Sequence, residues 1–117
     1  MIRIDTRYGT IEISQEYFRY LVGNAVSSCY GVVGMVRSGT RQGLRSVLSR
    51  RAHLDDGIRV RNEGDRLVVD IHIEVVFGMN ISAIAKSIVN KVRYTVEEAT
   101  VLTVKKVNVF VDGIKPE

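Results

Sequence analysis

Cysteine, proline and tryptophan are nearly absent: the 117 residues contain one, one and none. A lone cysteine, Cys29, cannot close an intrachain disulfide, so nothing points to an oxidising compartment and a cytoplasmic protein is expected. Long hydrophobic runs are missing too. No window approaches the roughly 20 apolar residues needed to span a bilayer, so direct membrane insertion is not expected. The opening "MIRIDTRYGTIEIS" mixes charge into its apolar residues, unlike a secretory signal. Acidic residues are absent from Arg37 to Arg51, although that stretch holds five arginines.

What is present reads as an ordinary globular protein, 45% hydrophobic and 26% charged with a net charge of +4. The length suits a single domain over residues 1–117, able to bury one core without disulfides or metals. Ile2, Ile4, Ile11 and Ile13 alternate with polar residues around "DTRYG", the pattern of half-buried extended segments joined by a turn. Ser14 then caps an amphipathic helix in which Phe18, Leu21, Val22, Ala25, Val26 and Cys29 recur at three- and four-residue steps. Glu16 sits in its first turn, where negative charge favours the helix dipole. Gly31 is placed to take the left-handed conformation that ends helices.

Leu44, Val47 and Leu48 have the spacing of a short helix capped by Thr40, weakened by Gly39 and Gly43. Beyond the turn "HLDDG", Ile58 and Val60 alternate with Arg59 and Arg61, and "NEGD" turns the chain. Leu67, Val69, Ile71, Ile73, Val75 and Phe77 then occupy every second position, the pattern of a hairpin with one long strand. Its opposite face carries Arg66, Asp70, His72 and Glu74. Asn80 caps a second long helix with the stripe Ile81, Ile84, Ile88, Val92, Val96 and Ala99. A last strand bearing Val107, Val109 and Val111 closes the chain before Pro116. Two helices with one apolar stripe each, and a sheet with one apolar face, satisfy each other in a two-layer α+β sandwich. The expected fold is a mostly antiparallel sheet of about four strands with two long helices on one face, approximately ferredoxin-like βαββαβ, plus a short helix.

Catalytic and metal readings fare poorly. Cys29 as a nucleophile needs a base, and only His53 and His72 are available; a free cysteine on a helical apolar stripe is more simply a small buried hydrophobe. Asp70, His72 and Glu74 share a strand face, but their outer α-carbons spread over about 13 Å, too far for a compact ligand set. "GVVGMVRSG" lacks the lysine and hydroxyl residue of a P-loop and follows a helix rather than a strand. "GVVG" also lacks the basic centre and flanking elements of a KH loop. No catalytic residue, cofactor site or metal site is assigned.

The basic segment is the better candidate. Arg37, Arg41, Arg45, Arg50 and Arg51, with Arg59 and Arg61 on the next strand, concentrate positive charge suited to an acidic protein, an anionic lipid surface or nucleic acid. Aromatics that would stack on single-stranded bases are not interleaved with them. A solvated basic face is the plain alternative. Val68, Val76 and Phe110 fall on the otherwise polar sheet face and point to self-association.

Taken in order, "YGTIEIS", "CYGVVGM", "GLRSVLSRR", "GIRVRNEGDRLVVDIHIEVVFGMNI" and "AKSIVNKVRYTVEEATVLTVKKVNVFVDGI" resemble the alkaline shock protein family, small envelope-stress-response proteins of Gram-positive bacteria. The likeness covers nearly the whole chain and is greatest to the short housekeeping-type members, although this chain is more basic at Arg41, Arg45 and Arg51. The resemblance implies a non-enzymatic cytoplasmic protein linked to envelope homeostasis, peripheral to the membrane through a membrane-anchored partner. It implies no catalytic residues. The function expected is therefore an interaction or scaffold module acting through protein partners and homo-oligomerisation. A nucleic-acid-binding module using Arg37 to Arg61 is the runner-up.

Overall fold

The computed structural model describes residues 1–29, 31–35 and 57–115. Along the chain run β1 (Ile2–Thr6), β2 (Gly9–Ile13), α1 (Gln15–Ser27), β3 (Val32–Met35), β4 (Ile58–Glu63), β5 (Arg66–Val76), α2 (Ile81–Thr100) and β6 (Val104–Lys115). The arginine-rich segment with its expected short helix lies outside the described residues.

Both helix starts form as their caps dictate. The Ser14 hydroxyl accepts from the Tyr17 amide at 3.1 Å and the Asn80 side chain from the Ala83 amide at 3.0 Å, each satisfying a donor that the first helical turn leaves unpaired. Helix α1 ends at Ser28, and Gly31 takes φ +94°, the left-handed geometry expected of it. A side chain there would collide with Ile84, whose Cδ1 lies 2.7 Å from the position of a Cβ.

Phe18, Val22, Ala25 and Val26 of α1 and Ile84, Ile88, Val92 and Val96 of α2 pack onto Leu67, Val69, Ile71, Ile73 and Val75 of β5. All are buried, and each large apolar side chain so placed contributes about 1.5–3 kcal/mol relative to exposure. The two-layer α+β sandwich expected from the sequence is thus observed, with its core between one sheet face and two helices. Both ends of the α2 stripe fall short of it, since Ile81 and Ala99 are exposed. Phe77 is exposed as well: β5 stops at Val76, and Gly78 turns the chain at φ +92° before another inward position is reached.

Strand β5 is the axis of the main sheet. It pairs in parallel with β6, and antiparallel with both β3 and β4. Since β6 occupies one edge, β3 and β4 share the other end to end, Met35 opposite Ile73 and Ile58 opposite Ile71. Among the described residues, pairing along this edge of β5 runs to Met35 and resumes with Gly57, whose carbonyl accepts from the His72 amide at 2.8 Å. The opening hairpin is not a strand of this sheet. Among the described residues β1 and β2 pair only with each other, and β5 and β6 are direct parallel neighbours across α2. Ile2 enters the core and Ile13 packs against it, whereas Ile11, expected to be half-buried, is 51% exposed because the hairpin is anchored only at its base.

Candidate interaction surface

The outer face of the sheet is bound together by polar side chains reaching across three strands. Lys105 Nζ of β6 donates to Glu63 Oε1 of β4 at 3.0 Å, and Arg61 Nη1 donates to Glu63 Oε2 at 3.2 Å. Arg61 Nε donates to Asp70 Oδ2 of β5 at 3.2 Å, and Asn108 Nδ2 of β6 donates to Asp70 Oδ1 at 2.8 Å. Partial burial pushes the Asp70 pKa up, but the hydrogen bond from Asn108 and the hydrogen bond and charge of Arg61 outweigh it, and the net shift is downward. The hydrogen bond and charge of Lys105, with those of Arg61, hold Glu63 below its ordinary value. Arg61 is raised in turn by its hydrogen bond to Asp70 and that residue's charge.

Further along the same face His72 Nδ1 meets Asp112 Oδ2 at 2.6 Å, and the His72 ring stacks on Phe110 with centroids 4.5 Å apart and planes 15° from parallel. Phe110 remains 42% exposed, while Ile114, past the bulge at Asp112, stands opposite Val75 on the inward parity and is 56% exposed.

These contacts revise two expectations about the face. Val68 does point outward, but it is 1% exposed and so is not an available self-association residue. It pairs with Arg61 and Lys106, whose aliphatic stems cover apolar neighbours while their charges stay in water. His72 pairs with Asp112 on the neighbouring strand rather than with Asp70 or Glu74 on its own. Val76 is half-buried.

Of the expected partner-binding arginines, Arg37, Arg41, Arg45, Arg50 and Arg51 lie outside the described residues. Arg61 is committed to Asp70 and Glu63, while Arg59 stands exposed on the same face opposite Asp70. The structure brings Arg59 and Arg61 together on one strand but gives only Arg59 to solvent without an ion pair among the described residues.

Cys29 is buried in the core, its Sγ 3.6 Å from the Ala25 carbonyl and 3.8 Å from the Ser87 hydroxyl. His72 lies on the opposite side of the sheet, so this histidine cannot act as base for the thiol. Among the described residues no three His, Cys, Asp or Glu side chains come together to hold a metal. An open groove of about 370 Å³ lies between the base of the hairpin and the two helices, lined by Glu12, Ile13, Ser14, Tyr17, Ala99 and Thr100.

The pairs Lys105 with Glu63, Asn108 with Asp70 and Asp112 with His72 escaped the sequence reading. The alternation of β6 gave the outward parity of Asn108, Phe110 and Asp112. Which strand stood beside them depends on β5 and β6 pairing directly, and periodicity within one strand does not contain that.

Comparison with known families settles the kinship. Residues 3–116 match the family model of the alkaline shock proteins, described as having a cell envelope-related function. The chain belongs to the alkaline shock protein family. It is 37% identical over 115 residues to the uncharacterized protein YloU of Bacillus subtilis, covering 97% of this chain and 95% of YloU. It is 31% identical to the uncharacterized protein Spy1614 of Streptococcus pyogenes over 97% of this chain and 94% of that protein. The resemblance drawn from the sequence motifs is thereby shown. Among solved structures, MamM-CTD H285A superposes with a TM-score of 0.50 at 16% identity, over 86% of this chain and 98% of that one. A likeness at that identity establishes the α+β fold of this alkaline-shock-family chain and nothing about its ligands.

Proposed function

We propose that this alkaline-shock-family protein is a non-enzymatic interaction module of the cell envelope, working from the membrane's periphery through protein partners, among them a membrane-anchored one, and through copies of itself. The observation that carries this reading is the exposed aromatic Phe110, held by stacking on His72 on an otherwise ion-paired sheet face. A rigid aromatic fixed by its neighbours binds a partner with little further loss of side-chain freedom, which is why such residues dominate protein interfaces. The envelope-related function of the family supports the location. No helix among the described residues is long and apolar enough to cross a membrane, which is consistent with recruitment by another protein.

The runner-up, nucleic acid held by Arg37 to Arg61, has weaker support among the described residues because Arg61 is neutralised by two carboxylates. A pull-down from lysate of the source cell, with and without nuclease, separates the two. The wild type is compared with Phe110→Asp and with Arg41, Arg45 and Arg51 all changed to Glu, each after a check of folding. The expected result is a membrane protein or a self-complex that survives nuclease and is weakened by Phe110→Asp. Recovery of nucleic acid alone, lost on reversing the arginines, would overturn the proposal.

A further inference from the structure

We propose that two copies of the chain join along β6, antiparallel about Val109, to form one sheet continuous through both. This rests on the interaction-module reading and names one of its partners. The two edges of the main sheet are treated differently. On the β4 edge the Gln15 side chain plugs the strand, donating to the Val60 carbonyl at 2.5 Å and accepting from the Val60 amide at 3.1 Å. On the β6 edge α2 satisfies only the first residue: Arg93 donates to the Val104 carbonyl and Glu97 accepts from the Val104 amide, both at 2.8 Å. Beyond Val104, no described residue pairs with the outer edge of β6. An open row of amides and carbonyls is a ready template for another strand.

The inward residues of β6 show the same incompleteness. Val69, Ile71 and Ile73 on β5 are fully buried, while Val107, Val109 and Val111 beside them are only partly covered. A strand laid along β6 would close them.

The strand's own sequence selects a second copy as that occupant. Directly opposed residues of an antiparallel pair share a sheet face, so a two-fold axis must pass through a residue rather than between two. With the axis at Val109, Lys106 opposes Asp112 of the second copy twice over, Val107 opposes Val111, and Asn108 opposes Phe110. Moving the axis to Asn108 sets Lys106 against Phe110, and moving it to Phe110 carries Lys106 past the bulge at Asp112, where no acidic residue stands. Of these neighbouring registers, only the one at Val109 matches charge with charge and valine with valine, the pairs that stabilise adjacent strands. Lys106 has no ion-pair partner among the described residues, so it is free to make this one. The bulges that leave Lys105 and Asp112 without a partner on β5 fall at either end, and Lys106 to Val111 runs in regular register between them.

The test combines sedimentation velocity of the full chain over a concentration series with register-specific cross-linking. A dimer is expected. Lys106→Asp and Asp112→Lys should each shift it to monomer, and the double exchange should restore it. In a Cys29→Ala background, Val109→Cys should link to itself under mild oxidation. Directly opposed α-carbons lie about 4.5–5.5 Å apart, within disulfide reach. Asn108→Cys should not self-link, its copies lying on a diagonal of about 7–8 Å. A monomer at every concentration, a dimer indifferent to both charge reversals, or equal cross-linking at positions 108 and 109 would each overturn the proposal. A monomer that still recovers a membrane protein in a Phe110-dependent way would remove self-pairing and leave the interaction-module reading standing. Loss of both would remove both.

Discussion

His72 Nδ1 and Asp112 Oδ2 lie 2.6 Å apart across β5 and β6, and the same imidazole stacks on Phe110. Three residues are thereby joined on the outer face of the sheet, and the aromatic surface of Phe110 is held in place. A double-mutant cycle on His72→Ala and Asp112→Ala, read by chemical denaturation, is expected to give a coupling of no more than about 1 kcal/mol, since both side chains are partly exposed. Phe110→Ala should remove the stacking without altering that coupling.

Acid should weaken the sheet face in a defined window. Asp70 and Glu63 both have folded-state pKa values below their ordinary ones. A depressed carboxylate stabilises the fold above its unfolded pKa, about 4 for these groups, and that stabilisation is lost as pH falls through the folded value. Denaturation midpoints measured downward from pH 6 should hold nearly level until about pH 4 and then fall. In Asp70→Asn that fall should be shallower.

Val101 ends α2 in the left-handed region at φ 67°, its amide bonded to the Glu97 carbonyl at 2.9 Å. A β-branched residue is strained in that geometry, and its side chain is 88% exposed, so it gains little from packing. Val101→Gly is expected to stabilise the protein by about 1 kcal/mol, seen as a higher Tm.

Gly57 passes so close to β5 that a Cβ there would sit 2.6 Å from the His72 carbonyl oxygen. The backbone must shift to admit one, so Gly57→Ala should cost about 1–3 kcal/mol in denaturant unfolding. Gly64→Ala, at φ 71° with nothing within 4 Å of the added atom, is a comparison in which only conformational strain acts.

Much of this fold was legible from periodicity and caps. The inward run Leu67 to Val75, the helix starts at Ser14 and Asn80, and the left-handed turn at Gly31 all follow from local rules. Phe77 obeyed the alternation of β5 but fell one residue beyond its end. Ile11 obeyed that of the hairpin, but no second layer covers it. Val68 had the outward parity expected of it, yet the stems of long charged side chains on adjacent strands removed it from water. Phe77 was decided locally, by the turn at Gly78, but Ile11 and Val68 were decided by what other segments do or do not place beside them. The same holds for the surface: Asp112 was placed on the correct face, but its bond to His72 arises only because β6 pairs directly with β5.

The most direct test of the interaction-module account is site-specific photo-crosslinking in living cells, with the photoreactive residue at position 110 and a control at the exposed Glu98 of α2. Adducts at position 110 with a membrane-anchored protein or with copies of this chain, and none of them at position 98, are the expected result. Crosslinks to nucleic acid alone, or the same adducts at both positions, would contradict it.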